Sequence, residues 1–281
     1  MSKKTVLITG CSEGGIGAAL AKAFHAKGYH VYATLRNPTK AGSLEGVQGI
    51  EISTLDVTRK ESIEQCLQYI KTKTGGKLDV LVNNAGADCT MPLLDVSLEE
   101  AKALYDLNVW AVLALTQAFV PMLIKARGTV VNINSVGAQM ILAWGGIYFS
   151  SKAAANSISE TLRIELKPLG VRVVTAMVGA VTTPIHDNSG DLKLPENSYY
   201  QKARGEIWDQ RRGMKKPRSQ NADKVAKNIV HDVVRGKSGQ IWRGGLATVC
   251  GFLPFLPKRI VEFATHVVVV NRGLSKVRLD T

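Results

Sequence analysis

Val6-Leu7-Ile8-Thr9-Gly10-Cys11-Ser12-Glu13-Gly14-Gly15-Ile16-Gly17 stands near the start of the chain, and a helical pattern from Ala18 to Lys27 follows it. A β-branched run, a glycine-rich turn and a helix in that order supply what a phosphate needs: backbone N–H groups, a helix N-terminus and no Cβ in the way. Taken alone, the stretch also reads as a tight turn that binds nothing. Its meaning depends on what the rest of the chain builds around it.

Strand-like runs recur at His30 to Leu35, Ile50 to Leu55, Val80 to Val82, Val130 to Ile133 and Val171 to Met177, with helical stretches at 61–74, 97–126 and 149–168. Strands alternating with helices imply right-handed crossovers and an α/β, Rossmann-type doubly wound parallel sheet. A helix from Ala222 to Val234 and a strand Gln240-Ile241-Trp242-Arg243 complete it. The expectation is one domain over 1–245, with a substrate cover at 184–221 and an apolar, basic extension at 246–281. Ligands in such sheets sit beyond the carboxyl ends of the strands. The residues there are Gly10 to Gly17, Arg36, Asp56, Asn83-Asn84-Ala85-Gly86, Ser135 and Val178 to Thr183.

The composition is that of a globular protein: of 281 residues, 45% are apolar and 21% charged, which argues against disorder, collagen or coiled coil. Four cysteines (Cys11, Cys66, Cys89, Cys250) form no CxxC pair, and the N-terminus lacks the long apolar core of a signal peptide. The chain therefore reads as intracellular, with reduced thiols and no metal site. Its net charge of +13 is uneven: residues 1–190 hold 18 basic and 15 acidic side chains, residues 191–281 hold 18 and 8. With no nucleic-acid motif and no aromatic–basic platform, nucleic acid is not expected as a partner. Arg211 to Arg218 places five cations in eight residues. That run reads as a seat for an anionic headgroup or membrane surface, or as a solvated loop. Leu246 to Pro257 and Ile260 to Val270 are apolar stretches too short to span a bilayer. Peripheral membrane association through 246–270 and packing against the domain or a second subunit both remain open.

At the end of the second strand an acid would bind the ribose of NAD, but this chain has Thr34-Leu35-Arg36-Asn37. A guanidinium fits the 2′-phosphate of NADP(H) better; the plainer reading is a solvated arginine. Tyr148 and Lys152, four apart, project from one face of a helix. A neighbouring ammonium is expected to lower the phenol's pKa from its usual value of about 10 and let the pair move a proton. Ser135, at a strand's carboxyl end, can hydrogen-bond a substrate carbonyl. Asn108 is a polar amide inside an apolar helix, read either as functional or as a satisfied core group.

Thr-Gly-x-x-x-x-Gly-Ile-Gly, Asn-Asn-Ala-Gly, Asn, Ser and Tyr-x-x-x-Lys, in this order from Val6 to about Gly245, resemble the short-chain dehydrogenases/reductases. The resemblance implies that Gly10, Ser12, Gly15, Ile16 and Gly17 form the pyrophosphate turn. It places Asp56 and Val57 at the adenine and Asn83, Ala85 and Gly86 on the adenosine side. Val181 and Thr183 would hold the nicotinamide carboxamide. Tyr148 would be the general acid, Lys152 would tune it and bind the nicotinamide ribose, Ser135 would polarise the carbonyl, and Asn108 would keep a proton-relaying water. The chain departs from the family in two places: four residues separate Gly10 from Gly15, where three are usual, and Val178 stands where proline is usual.

A narrower likeness is carried by Cys89-Thr90-x-Pro92-Leu93-x-Asp95-Val96, Trp242-Arg243-Gly244 and Gly273-Leu274-Ser275-Lys276-x-x-Leu279-Asp280, which resemble the fungal NADPH-dependent 1-acyldihydroxyacetone-phosphate reductases of endoplasmic reticulum and lipid droplets. It implies reduction of an acyl-dihydroxyacetone phosphate to 1-acylglycerol 3-phosphate, on the cytoplasmic face of those membranes or in the cytosol. Val31 to Asn37 and Thr9-Gly10-Cys11-Ser12 also resemble the 17β-hydroxysteroid dehydrogenases. That second likeness implies a polycyclic or polyketide ketone of fungal secondary metabolism instead. The non-enzymatic alternative is a membrane-associated binding protein on the same fold. The expected small-molecule partner is an apolar ketone or alcohol, and the family implies a homo-oligomer.

Overall fold

A computed structural model of the chain describes residues 3–184, 190–213, 218–257 and 259–260. Its strands are β1 (Thr5–Thr9), β2 (His30–Leu35), β3 (Ile50–Thr54), β4 (Val80–Asn83), β5 (Thr129–Ser135), β6 (Arg172–Val178), β7 (Val181–Thr182), β8 (Gln220–Asn221) and β9 (Gly239–Arg243). Seven form one sheet in the order β3-β2-β1-β4-β5-β6-β9, and β7 pairs with β8. Every pairing between these strands is parallel. The chain runs outward from β1 to β3 and then returns to the other side of β1. The crevice at that reversal, between β1 and β4, is where a doubly wound sheet binds its ligand.

Strand alternation builds two cores. In β1, Val6 and Ile8 face a layer with Leu20 and Phe24 of α1 (Ile16–His25) and Ile229 and Val233 of α7 (Ala222–Val234). Leu7, between them, faces the opposite layer with Ile70, Leu115, Phe119 and Leu162. Ile70 belongs to α2 (Lys60–Thr74), Leu115 and Phe119 to α4 (Ala111–Ala126), and Leu162 to α5 (Gly146–Leu166). Burial on both faces is why these strands are unbroken apolar runs in the sequence.

The stretch at 97–126 is more than one helix. It comprises α3 (Leu98–Tyr105), a π-helical turn at Asp106–Trp110, and α4. Together the 29 residues are apolar enough to cross a membrane, but their inner face is the second core layer. Here the apolar length encodes interior packing. The next helix, α5, begins at Gly146, earlier than expected, so Tyr148 lies in its first turn.

The segment expected to cover the substrate includes α6 (Arg204–Arg211), and the extension begins with α8 (Ala247–Cys250). Between them, backbones cross closely beyond β6. Gly179 N–H donates to the Arg243 carbonyl at 2.8 Å, and Ala180 and Gly245 exchange hydrogen bonds at 3.0 and 2.9 Å. Met214 to Pro217, within the basic run, and residues 261–281, with most of the second apolar stretch, lie outside the described residues.

Candidate active site

The glycine turn between β1 and α1 is shaped by close backbone approach. Gly10 has φ +72°, and a Cβ on it would lie 2.9 Å from Ala85 Cα; one on Gly17 would lie 2.3 Å from the Gly10 carbonyl oxygen. No side chain caps α1, whose N-cap is Gly15, and its first turn holds no acid. Ile16 begins the helix, and Ser12, whose carbonyl accepts from Gly15 N–H at 3.1 Å, closes the turn. The cradle thus offers uncapped helix N–H groups with no side chain between them and a ligand, which fits the pyrophosphate of a dinucleotide.

Two residues given no role from the sequence hold this turn. Thr9 is buried, and its hydroxyl oxygen accepts from Asn84 N–H and Ala85 N–H, both at 3.0 Å. Asn84 Nδ2 donates to the carbonyls of Thr9 at 2.7 Å and Gly10 at 3.1 Å. A threonine after three apolar residues and the second asparagine of a pair were the available signals. What they stitch together, β1 to the loop after β4, is visible only in the sheet.

Arg36 is exposed at the end of β2. Burial pushes the Asp56 carboxyl up, but hydrogen bonds from the hydroxyl and N–H of Thr58 and the charges of Arg36 and Arg59 outweigh it, leaving Asp56 below the ordinary range. An acid and two cations therefore gather at the ends of β2 and β3. Two of the residues expected at the adenosine turn their side chains inward. Val57 packs into the second core layer. Asn83 Nδ2 donates inward to Asn132 Oδ1 at 2.8 Å and Thr116 Oγ1 at 3.3 Å, and Asn132 donates on to Ser159 Oγ. Both residues are left with only their backbone to offer there, because their side chains are taken up by the interior.

Ser135, Tyr148 and Lys152 come together where β5 ends and α5 begins. Ser135 caps the short helix Val136–Gln139, its hydroxyl oxygen accepting from Gly137 N–H at 3.0 Å, and also hydrogen-bonds Tyr148. Lys152 is buried, with Nζ 6.0 Å from the centre of the Tyr148 ring and donating to the Ile133 carbonyl at 3.4 Å. Gly86 lies beside both Lys152 and Asn108: a Cβ there would sit 3.6 Å from Lys152 Nζ and 3.1 Å from Asn108 Oδ1.

The expected lowering of the phenol's pKa is not what this site shows. Burial foremost pushes Tyr148 up to about 12, Asp88 adds to the rise, and the Ser135 hydrogen bond opposes it. Lys152 is pushed down to about 8 by burial. Desolvation disfavours the charged form of each, and it is the largest cause in both.

The Asn108 amide is fully engaged. Oδ1 accepts from Ala87 N–H at 3.0 Å, while Nδ2 donates to the Ala87 carbonyl at 3.0 Å and to Ser151 Oγ at 3.1 Å. The side chain is thus a satisfied buried group tying the loop after β4 to α5. It occupies the π turn, an irregularity that often marks functional positions. Val181 is buried in β7, and Thr183 follows it, half-buried, before Pro184.

The cover carries an apolar cluster of Leu192, Ala203 and Ile207 packed with Met91, Trp144, Tyr200 and Trp208. Trp144, with φ +66°, is a bulky residue in the left-handed region and stacks edge-on against Tyr200 with ring centres 5.0 Å apart. Polar ties hold this cover down: Gln210 Nε2 donates to the Ala143 carbonyl at 2.9 Å, and Ser198 Oγ to Asp95 Oδ2 at 2.6 Å. Arg211, expected among the headgroup cations, donates to the carbonyls of Thr90 at 3.1 Å and Gly190 at 3.2 Å.

The family model of the short chain dehydrogenases matches residues 4–193, more than half of the chain. The chain belongs to the short-chain dehydrogenase family. This dehydrogenase is 54% identical over 277 residues to the short-chain dehydrogenase cctT of Talaromyces islandicus, covering 98% of this chain and 97% of that protein. It is 36% identical over 284 residues to the NADPH-dependent 1-acyldihydroxyacetone phosphate reductase of Schizosaccharomyces pombe, with 95% of each covered. Among solved structures, a short-chain dehydrogenase from Streptomyces avermitilis superposes with a TM-score of 0.78 at 29% identity, over 95% of this chain and 98% of that one. The dehydrogenase is an oxidoreductase of the Rossmann-type architecture expected from its alternating strands and helices.

Proposed function

We propose that this dehydrogenase is an NADP(H)-dependent ketone reductase whose substrate is bulky and apolar, of polycyclic or polyketide type. The observation that carries the reaction is the convergence of Ser135, Tyr148 and Lys152 beside the glycine cradle. Gly10, Ser12, Gly15, Ile16 and Gly17 would hold the pyrophosphate, and Arg36 the 2′-phosphate. Asp56, with the backbones of Val57, Asn83, Ala85 and Gly86, would hold the adenosine. Val181, Thr183 and Lys152 would hold the nicotinamide end. A reduced nicotinamide bound there supplies hydride. Ser135 polarises the ketone oxygen, and Tyr148 donates its proton to that oxygen as negative charge develops. A phenol held near 12 remains protonated at neutral pH, the form a general acid needs. Lys152, charged below about 8, favours the phenolate left behind.

The aromatic wall of Trp144, Tyr200 and Trp208 and the use of Arg211 as a tie support the apolar substrate. The name of the Schizosaccharomyces pombe relative favours a second reading, an acyl-dihydroxyacetone phosphate. A panel of both ketone classes, followed by NADPH loss, decides between them. The expected result is higher kcat/KM with the polycyclic ketones. A preference for acyl-dihydroxyacetone phosphate that disappears when its phosphate is removed establishes the second reading. NADPH is expected to serve far better than NADH.

A further inference from the structure

The extra residue in the glycine turn lengthens the loop that meets the cofactor, and the structure shows what the added length does. Glu13 reaches across to the segment that follows β2. Its N–H donates to the Lys40 carbonyl at 2.8 Å. Its Oε2 accepts from Ser43 N–H at 2.6 Å and from the Ser43 hydroxyl at 2.5 Å, and Lys22 Nζ lies 3.5 Å from Oε1. Cys11 N–H adds a further stitch to the Thr34 carbonyl at 3.0 Å. The contact is built for closeness: Gly42 has φ +55°, and a Cβ there would lie 2.6 Å from Glu13 Oε2 and 2.9 Å from its Cβ.

The segment so held begins with Arg36, whose charge reaches Asp56 at the end of β3. Arg36 itself is exposed, and nothing buries its stem into one position. A flexible guanidinium discriminates a phosphate only to the extent that its backbone is placed. The phosphate turn and the Arg36 segment form two sides of the adenosine end of the crevice. Glu13 is the residue that joins them.

We propose that Glu13 is a positioning residue for cofactor selectivity: locked to Ser43, it fixes the Arg36-to-Leu44 segment against the phosphate turn so that Arg36 meets a 2′-phosphate. This inference rests on the NADP(H) reading. The carboxylate is engaged by Ser43 and Lys22, and the Ser43 hydroxyl foremost among these bonds holds it below the ordinary range. Glu13 therefore stays ionised as it holds Ser43.

The test is direct titration of NADPH and of NADH with the full chain, read by cofactor fluorescence, for wild type, Glu13→Ala, Glu13→Gln and Ser43→Ala. Loss of a charge-assisted hydrogen bond predicts that Glu13→Ala and Ser43→Ala each weaken NADPH about tenfold while NADH changes less than about twofold. Glu13→Gln keeps an acceptor for Ser43 and stays near wild type. The double variant Glu13→Ala/Ser43→Ala is no worse than either single one, as expected for two halves of one contact. Tighter NADPH binding in both Glu13→Gln and Glu13→Ala overturns the proposal, because Glu13 would then act by repelling the phosphate. An unchanged NADPH/NADH ratio in Glu13→Ala and Ser43→Ala also overturns it. Equal wild-type affinity for the two cofactors would instead defeat the NADP(H) reading itself, and so the two failures are distinguishable.

Discussion

Tyr148 and Lys152 show how burial can reverse an expectation drawn from spacing. Four residues apart on a helix, they read as a pair in which the ammonium lowers the phenol. In the folded protein Lys152 is buried and Tyr148 half-buried, and desolvation pushes the phenol up to about 12 and the lysine down to about 8. Reduction needs the proton on Tyr148 and the charge on Lys152. The lysine is charged below its value and neutral above it, so kcat/KM for reduction should be flat up to about pH 7 and fall as pH rises through about 8. A pH–rate profile checks this, and a flat course to pH 10 would remove Lys152 from the role. Tyr148→Phe lacks the proton donor and should lower kcat by a factor of about 10² to 10⁴, with cofactor affinity measured by fluorescence little changed. The residue types were legible in the sequence. The direction of their titration was not, because desolvation depends on neighbours distant along the chain.

At the scale of elements, the long apolar stretch at 97–126 carries one irregularity that matters. Helical periodicity runs through it, and nothing in the pattern of Leu107, Asn108, Val109 and Trp110 announces a π turn. Tertiary contacts explain it: Asn108 must present its amide to both the N–H and carbonyl of Ala87 and to Ser151 at once. Of the two sequence readings of Asn108, its side chain fulfils the satisfied amide. Asn108→Ala would remove the amide from three partners, of which Ser151 is buried, and should lower stability by about 2 kcal/mol, measured by urea unfolding, with a loss of kcat as the loop after β4 detaches from α5. A near-neutral effect would show that the π turn is held by something else. The central strands β1 and β4 were more readable, because they are buried on both faces and so are nearly uninterrupted apolar runs. For Asn83 and Val57 the sequence did not show which way the side chain points; in the fold both turn inward.

For the whole molecule, the uneven charge meets an apolar surface near the start of the extension. Val249, Phe252, Phe255, Leu256 and Ile260 are exposed, and Arg259 stands among them. An apolar patch beside a basic third of the chain is suited to the headgroup boundary of an anionic bilayer. The expected outcome is co-sedimentation with phosphatidylserine-containing vesicles that weakens with salt and is lost in Phe252→Ser/Phe255→Ser. Equal recovery with neutral vesicles, or none with either, would assign the patch to protein contact instead. From the sequence alone came the alternation of strands and helices, the glycine turn, the family and the identities of Ser135, Tyr148 and Lys152, since local periodicity and motif spacing are properties of the chain. Only the tertiary structure decided that Glu13 locks two loops together, that Arg211 ties down a cover, that Asn83 faces inward and that burial sets both pKa values. Each of these is a contact between residues far apart in sequence, and its energy depends on what else is packed around it.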